Sequence, residues 1–453
     1  MSHAGDGGTV RTLPLVGLRT RTRSSAERLL RMSRRELTAL GALAGLVLIG
    51  SALALGSAST RHSFPAPRGA GGLPGWVAGP LANTGTTMTA GRFFVLLAAM
   101  WLLYLLVLAV ADAVHPKWAL GTIVALTVVF TVAPPLLSGD IFSYVDYARL
   151  GVLHHLNPYR HGPIAAHADP IFPFVRWRHT PSIYGPLFTI GSYPLAWLGL
   201  AGALWSFKAL ASAASLGCVA LVWRCAQRVG VSPVFAALLV GLNPILVVYA
   251  VGGGHNDLIA LLPLTAAIAF AAERRSALGG ASLVAALATK ATAGLALPFM
   301  LLGSRQRAAA AAGAGGAALL LGAIGFAVFG SAVLEPLKVI EQHRRLYFAQ
   351  SIPPHIAVIF GAYPRSIRVQ HVAWAAALAV SAVLAVRAVR SRDWVSNAGW
   401  AMFAALAASM YLLEWYTIWL LPFAAVARDR RLVYAALSLG TFVVVSHFYY
   451  LSL

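Results

Sequence analysis

"WALGTIVALTVVFTVAPPLLSGDIFSYVDYARL", residues 118–150, decides how the rest of the chain is read. Its first part, 118–137, is about twenty residues of near-continuous apolar sequence, the length a helix needs to cross a hydrocarbon core of roughly 30 Å. Pro134, Pro135 and Gly139 close that run, and Asp140 follows at once. Comparable spans lie near 37–56, 92–111, 184–201, 203–226, 233–251, 257–272, 276–289, 291–303, 308–330, 371–387, 395–413, 415–427 and 432–450. They predict an all-α polytopic transmembrane protein of about 12–14 membrane segments, with short amphipathic helices in its extracytoplasmic loops.

Of the 453 residues, 59% are hydrophobic and 11% charged, which leaves room for a whole membrane domain and little for a soluble one. The net charge of +21 does not imply nucleic acid: the arginines cluster before the first span and in short loops, with no nucleic-acid-reading module. Residues 1–34 read as a disordered basic cytoplasmic tail and 35–453 as the transmembrane domain. The run 37–55 is too long for a signal-peptide core and no obvious cleavage site comes after it, so it is expected to remain as a membrane helix. Cys218 and Cys225 lie two turns apart on one apolar helix, a spacing that suits packing and neither a disulfide nor a metal. No internal repeat stands out.

Basic loops place the N-terminus in the cytoplasm and the loops 57–90, 138–183, 252–256, 331–370 and 414–416 outside a plasma membrane. Three spans separate Asp140 from His255, so one of them must fail to cross if both residues face outward; 184–201, with Gly185, Pro186, Gly191 and Pro194, is the segment expected to be broken. The segments 276–289 and 291–303 read as two short legs with Lys290 at their apex.

With only 14 acidic residues in the chain, their placement is informative. Asp140, Asp146, Asp169, Asp257, Glu335, Glu341 and Glu414 map to external loops or outer span ends. Asp140 suits either a partly desolvated base or the N-cap of an amphipathic helix over 141–153. Asp146 and Arg149, three residues apart, suit a surface ion pair or a polar site. Tyr159 comes after a turn and suits sugar stacking or the membrane interface. "VGGGHNDLIA", 251–260, brings His255, Asn256 and Asp257 to a helix start behind three glycines. Lys290, an ionisable group inside apolar sequence, is a functional candidate by default and suits a lipid phosphate. Arg344 and Arg345, outside against the charge trend, suit an anionic ligand, with Gln350 nearby; Glu414 stands at another outer helix end.

An aspartate directly after an early span, "YVDYARLG" and "NPY" behind it, "YGPL" at 184–187, "GGGHND" at 252–257 and "TKAT" at 289–292 together resemble the GT-C superfamily of membrane glycosyltransferases. Within it, the resemblance is to polyprenol-phosphate-mannose-dependent α-mannosyltransferases of actinobacterial envelope synthesis, over roughly residues 90–430. It implies inverting transfer of mannose, on the outer membrane face, from a polyprenyl-phosphate sugar to a glycolipid or glycan acceptor. Another sugar such as arabinose, or a lipid-linked-sugar transporter, is the alternative. Loop 138–183 would be the first catalytic loop and 331–370 the second external loop. Asp140 would be the general base; Asp146, Arg149, Tyr159, Tyr184, His255, Asn256, Asp257, Gln350 and Glu414 would bind substrate; Lys290 with Arg344 or Arg345 would bind the donor phosphate. The expected partners are the donor, the acceptor and membrane lipids, not nucleic acid. No cofactor is implied and no metal ligands are assigned; many GT-C enzymes carry two acids in the first loop, whereas Gly139 precedes a single Asp140 here, leaving metal dependence open.

Overall fold

The computed structural model describes residues 32–59, 63–67, 73–343 and 346–451, so nearly all of the basic tail lies outside the described residues. Every regular element among them is helical. Helix α1 (Arg34–Ser57) opens with a reciprocal Ser33–Glu36 capping box, which satisfies two of its orphan amides. Then come α2 (Ala90–Ala109), capped by Thr89, and α3 (Pro116–Val132), which places proline where no amide is needed. Next are α4 (Asp140–Val152), α5 (Pro186–Ala196), α6 (Gly199–Val229) and α7 (Pro233–Gly241) with a π-helical segment, Ile245–Val251, bent 47° from it. The chain continues through α8 (Asp257–Ala272), α9 (Ser276–Thr289), α10 (Leu297–Gly303), α11 (Arg307–Phe329) and α12 (Glu335–His343). It ends with α13 (Ile352–Ile359), α14 (Ile367–Ser391), α15 (Trp394–Ala407), α16 (Leu421–Val426) and α17 (Arg431–Leu451).

Among the described residues five helices are long and apolar enough to cross a membrane, or six if the bent pair counts as one span. The protein is thus an all-α polytopic membrane protein. The remaining apolar spans are shorter or broken pieces. At 11 residues α5 is about 16 Å long, too short to cross, and Gly199 turns the chain into α6 at φ +68°. This is the segment expected to be broken, and the loops of Asp140 and His255 meet at one end of the bundle. Helices α11 and α14 bury few side chains and expose Leu319, Phe326, Val372 and Leu378, as lipid-facing helices do.

Two stretches share one construction. After Lys290 a 3-10 turn, Ala291–Ala296, leads into α10, and after Leu413 a 3-10 turn, Glu414–Leu420, leads into α16. Each short helix begins Leu-Pro-Phe, at 297–299 and 421–423. Both legs therefore set an ionisable residue, Lys290 or Glu414, at their start, a likeness too short to register as a sequence repeat.

Candidate active site

Asp140 is the first residue of α4, and Gly139 takes the N-cap position. Its carboxylate is therefore not the cap that sequence allowed, and it accepts no hydrogen bond from any described residue. Its Oδ2 lies 3.7 Å from Nδ1 of His255, close but short of a hydrogen bond. His255 is 1% exposed and stacks on Trp415 with ring centroids 3.9 Å apart, and its Nδ1 is buried without a partner. The glycines explain the approach: Gly254 sits at φ +67°, and a Cβ there would stand 2.6 Å from Ile141 Cδ1. Only a bare backbone lets the His255 turn close against α4.

The next two residues turn the other way. Asp257, fully buried, accepts from Lys290 Nζ at 2.6 Å and from Trp419 Nε1 at 2.8 Å. Asn256 Oδ1 accepts from Lys290 at 3.3 Å and from the Tyr144 hydroxyl at 3.2 Å. Lys290 holds extended backbone at the break between α9 and the 3-10 turn, as expected of an apex. Gly185 fastens "YGPL" to that break by donating to Thr289 O at 3.1 Å; a Cβ on it would stand 2.1 Å from Ala288 O. Lys290, expected to face a phosphate, spends two N–H donors on its own protein, and 15% of its side chain is exposed.

Glu414 Oε1 is 2.7 Å from Nε2 of the buried His447, whose Nδ1 is 2.7 Å from Val443 O. The neighbouring Trp415 carries Glu414's turn to His255. Gln350 joins the same rim: Phe348 N donates to Met410 O, Leu412 N donates to Ser351 Oγ, and Gln350 Oε1 is buried without a partner. Tyr184 packs edge-on to Tyr144 at 5.1 Å. Asp140, His255, Asn256, Asp257, Lys290, Tyr184, Glu414 and Gln350 thus belong to one end of the bundle.

Three expected site residues are packed into the 138–183 loop. Tyr159 is enclosed: its hydroxyl donates to Tyr184 O at 2.9 Å and meets Thr189 Oγ1 at 3.1 Å, and its ring packs on Phe329. Arg149 does not pair with Asp146 but grips Asp169 with Nε 3.0 Å from both carboxylate oxygens. His154 Nε2 and the Ile171 amide complete that clasp. Burial would raise the Asp169 carboxyl, but the hydrogen bonds from Arg149, His154 and Ile171 outweigh it and hold it below the usual value. Asp146 is 1% exposed rather than on a wet face, and burial, with the charge of Asp169, pushes its carboxyl up to about 7 against the opposing pull of Arg149. Arg344 and Arg345 lie outside the described residues. Among the described residues no three His, Cys, Asp or Glu side chains gather as a metal-holding group.

Sequence reading passed over Lys208, Trp419, His447 and the clasping role of Asp169. Lys208 carried the same signal as Lys290, a lone charge inside an apolar span. His447 and Trp419 carried none, because a histidine or tryptophan near a span end is ordinary.

Residues 38–305, which carry Asp140, His255, Asn256, Asp257 and Lys290 but not Gln350 or Glu414, match the sequence profile of the alpha-(1->6)-mannopyranosyltransferase family, N-terminal domain. The chain belongs to this family. It is 29% identical over 353 residues to alpha-(1->6)-mannopyranosyltransferase A of Mycobacterium tuberculosis, covering 70% of this chain and 68% of that protein. It is also 29% identical over 198 residues to alpha-(1->6)-mannopyranosyltransferase A of Corynebacterium glutamicum, covering 42% and 39%. A probable alpha-(1->6)-mannopyranosyltransferase of Mycolicibacterium smegmatis is 33% identical over 164 residues, 33% of this chain and 28% of that protein. The chain therefore spans well under half the length of the last two. No solved structure matches it.

Proposed function

We propose that the protein transfers a mannosyl group from a polyprenyl-phosphate donor to a mannoside hydroxyl on a glycolipid or glycan, with inversion, at the outer face of the membrane. The observation that carries this reading is the unpaired Asp140 carboxylate, 23% exposed and beside the buried Nδ1 of His255, in a chain of the mannopyranosyltransferase family. A carboxylate free of protein donors is available to accept a proton.

In this reading the acceptor oxygen attacks the anomeric carbon, its proton passes to Asp140, and the bond from that carbon to the phosphate oxygen breaks. Lys290, fixed by Asp257 and Asn256 and with one N–H to spare, stands by the departing phosphate, and Arg344 or Arg345 adds a second cation. His255, Asn256, Gln350 and Trp415 present buried unpaired polar atoms, the inventory a sugar's hydroxyls would satisfy.

The test is transfer of radiolabelled mannose from polyprenyl-phosphate-mannose to a mannoside in membranes expressing wild type or Asp140→Asn. Wild-type transfer that vanishes in the variant at equal expression is the expected result. Absence of transfer by wild type, with the donor still bound, overturns the sugar or acceptor; absence of binding overturns the reaction class.

A further inference from the structure

Lys208 lies mid-helix in α6, between Phe207 and Ala209, and no part of it is exposed. A lysine in apolar surroundings is expensive, so its partners matter. No described carboxylate forms an ion pair with it. Its ammonium instead donates to two main-chain carbonyls, Gly252 O at 2.8 Å and Pro134 O at 3.5 Å. Those oxygens end two different membrane elements. Pro134 lies two residues past the end of α3, and Gly252 comes directly after the π-helical segment. Helix ends carry partial negative charge, which a basic group answers; Gly252 O, which also accepts from the Leu136 amide, takes the lysine N–H as its second donor.

The residues just beyond each carbonyl give the contact its meaning. Asp140 comes six residues after Pro134, and His255 three after Gly252. The two segments also touch directly, Leu136 N donating to Gly252 O at 3.1 Å, so that single carbonyl receives both segments' tie. The lysine stem packs there too: a Cβ on Gly254 would stand 3.3 Å from Lys208 Cγ.

We propose that Lys208 is a positioning residue of the active site, a buried strut that ties the ends of α3 and the π-helical segment together and so sets Asp140 against His255. The catalytic consequence rests on the mannosyl-transfer reading; the strut itself does not. Methionine at 208 keeps the stem and removes the donors. Glutamine keeps an N–H donor but is shorter, so it holds at most one carbonyl and leaves the Leu136–Gly252 hydrogen bond as the tie between the segments. Displacement of reacting groups by an ångström costs about a hundredfold in rate.

The experiment compares wild type, Lys208→Gln and Lys208→Met, purified in detergent, by steady-state mannosyl transfer and by amide hydrogen exchange. The expected kcat order is Lys above Gln above Met, with Met down roughly 10- to 100-fold and KM for donor and acceptor within about threefold of wild type. Exchange is expected to quicken only in peptides covering 134–142 and 250–257. Wild-type kcat in the methionine protein overturns the proposal, as does quickened exchange throughout the membrane domain, which marks a general core defect. If the methionine protein does not accumulate, the glutamine protein decides: kcat and exchange equal to wild type overturn the strut. If wild type itself transfers no mannose, the functional reading fails while the exchange data still decide the strut.

Discussion

Asp257 gives both carboxylate oxygens to the protein, one to Lys290 and one to Trp419, while Asp140 accepts no hydrogen bond from any described residue. Both belong to the same end of the bundle, and His255, two residues before Asp257, lies 3.7 Å from Asp140 across space. On the Asp257 side a buried charge is paired and fully hydrogen-bonded, which is how a low-dielectric interior tolerates one. On the Asp140 side His255 Nδ1, Trp415 Nε1 and Gln350 Oε1 are buried and unpaired, and Asp140 reaches solvent. Unpaired buried polar atoms are rare in folded proteins, and a ligand is one way to complete them. One acid is built into the scaffold, then, and the other is left without a hydrogen-bond donor among the described residues.

The sharpest way to break this contrast is to remove each charge in turn. Asp140→Asn is expected to lower kcat about 10²- to 10⁴-fold, the range of a lost general base, with the thermal midpoint nearly unchanged because no described residue donates a hydrogen bond to the carboxylate. A fall in midpoint comparable to that of an Asp257 variant would sink the assignment. Asp257→Leu is expected to act the other way round, costing about 3–5 kcal/mol of stability by stranding Lys290 in the interior. Asp257→Leu combined with Lys290→Leu should recover much of that loss, since removing both members of a buried pair leaves no uncompensated charge. Thermal unfolding of the four combinations in detergent measures the coupling; simple additivity would show that the two residues do not act as a pair.

Legibility divided along the same line. Spans such as 37–56, 203–226 and 308–330 were readable because twenty apolar residues have few other uses, and their helices α1, α6 and α11 begin and end within a few residues of the expected bounds. Asp140, His255, Asn256, Asp257 and Lys290 were readable as outliers, being charged or polar groups beside glycines or within apolar runs. Their pairing was not. That Arg149 clasps Asp169 twenty residues away, or that Lys290 turns inward to Asp257, depends on how loops fold across helix ends, which no local period encodes. The enclosure of Tyr159 was not legible because an aromatic after a turn looks the same in sequence whether it faces a sugar or a phenylalanine.

A subtler contrast separates Asp146 from Asp169, neighbours in the 138–183 loop. Asp146 titrates at about 7 in the fold, above the 3.8 of an ordinary aspartate, so the folded state holds a proton that the unfolded chain has released. Its contribution to stability is therefore complete below about pH 4 and is lost as pH rises through about 7. Asp169, held low, contributes in the opposite sense, with stability present above the ordinary aspartate value and lost on acidification. Asp146→Asn is expected to flatten the unfolding midpoint between pH 4 and 8 and to raise it at the alkaline end. An unchanged slope would show that Asp146 is ionised throughout.

The smallest effect is the one that decides whether the enclosed tyrosine belongs to the loop or to the site. Tyr159→Phe deletes a hydroxyl that donates to Tyr184 O and leaves its ring against Phe329. The expected cost is about 1 kcal/mol of stability, the usual net value of one hydrogen bond, because the Tyr184 carbonyl loses its donor in a buried place. KM and kcat for mannosyl transfer should stay within about twofold, since no atom that could touch a sugar has changed. A tenfold rise in KM at unchanged stability would mean that the hydroxyl meets substrate after all. The loop around Tyr159, and not only the rim around Asp140, would then have to be counted on the open side of the site.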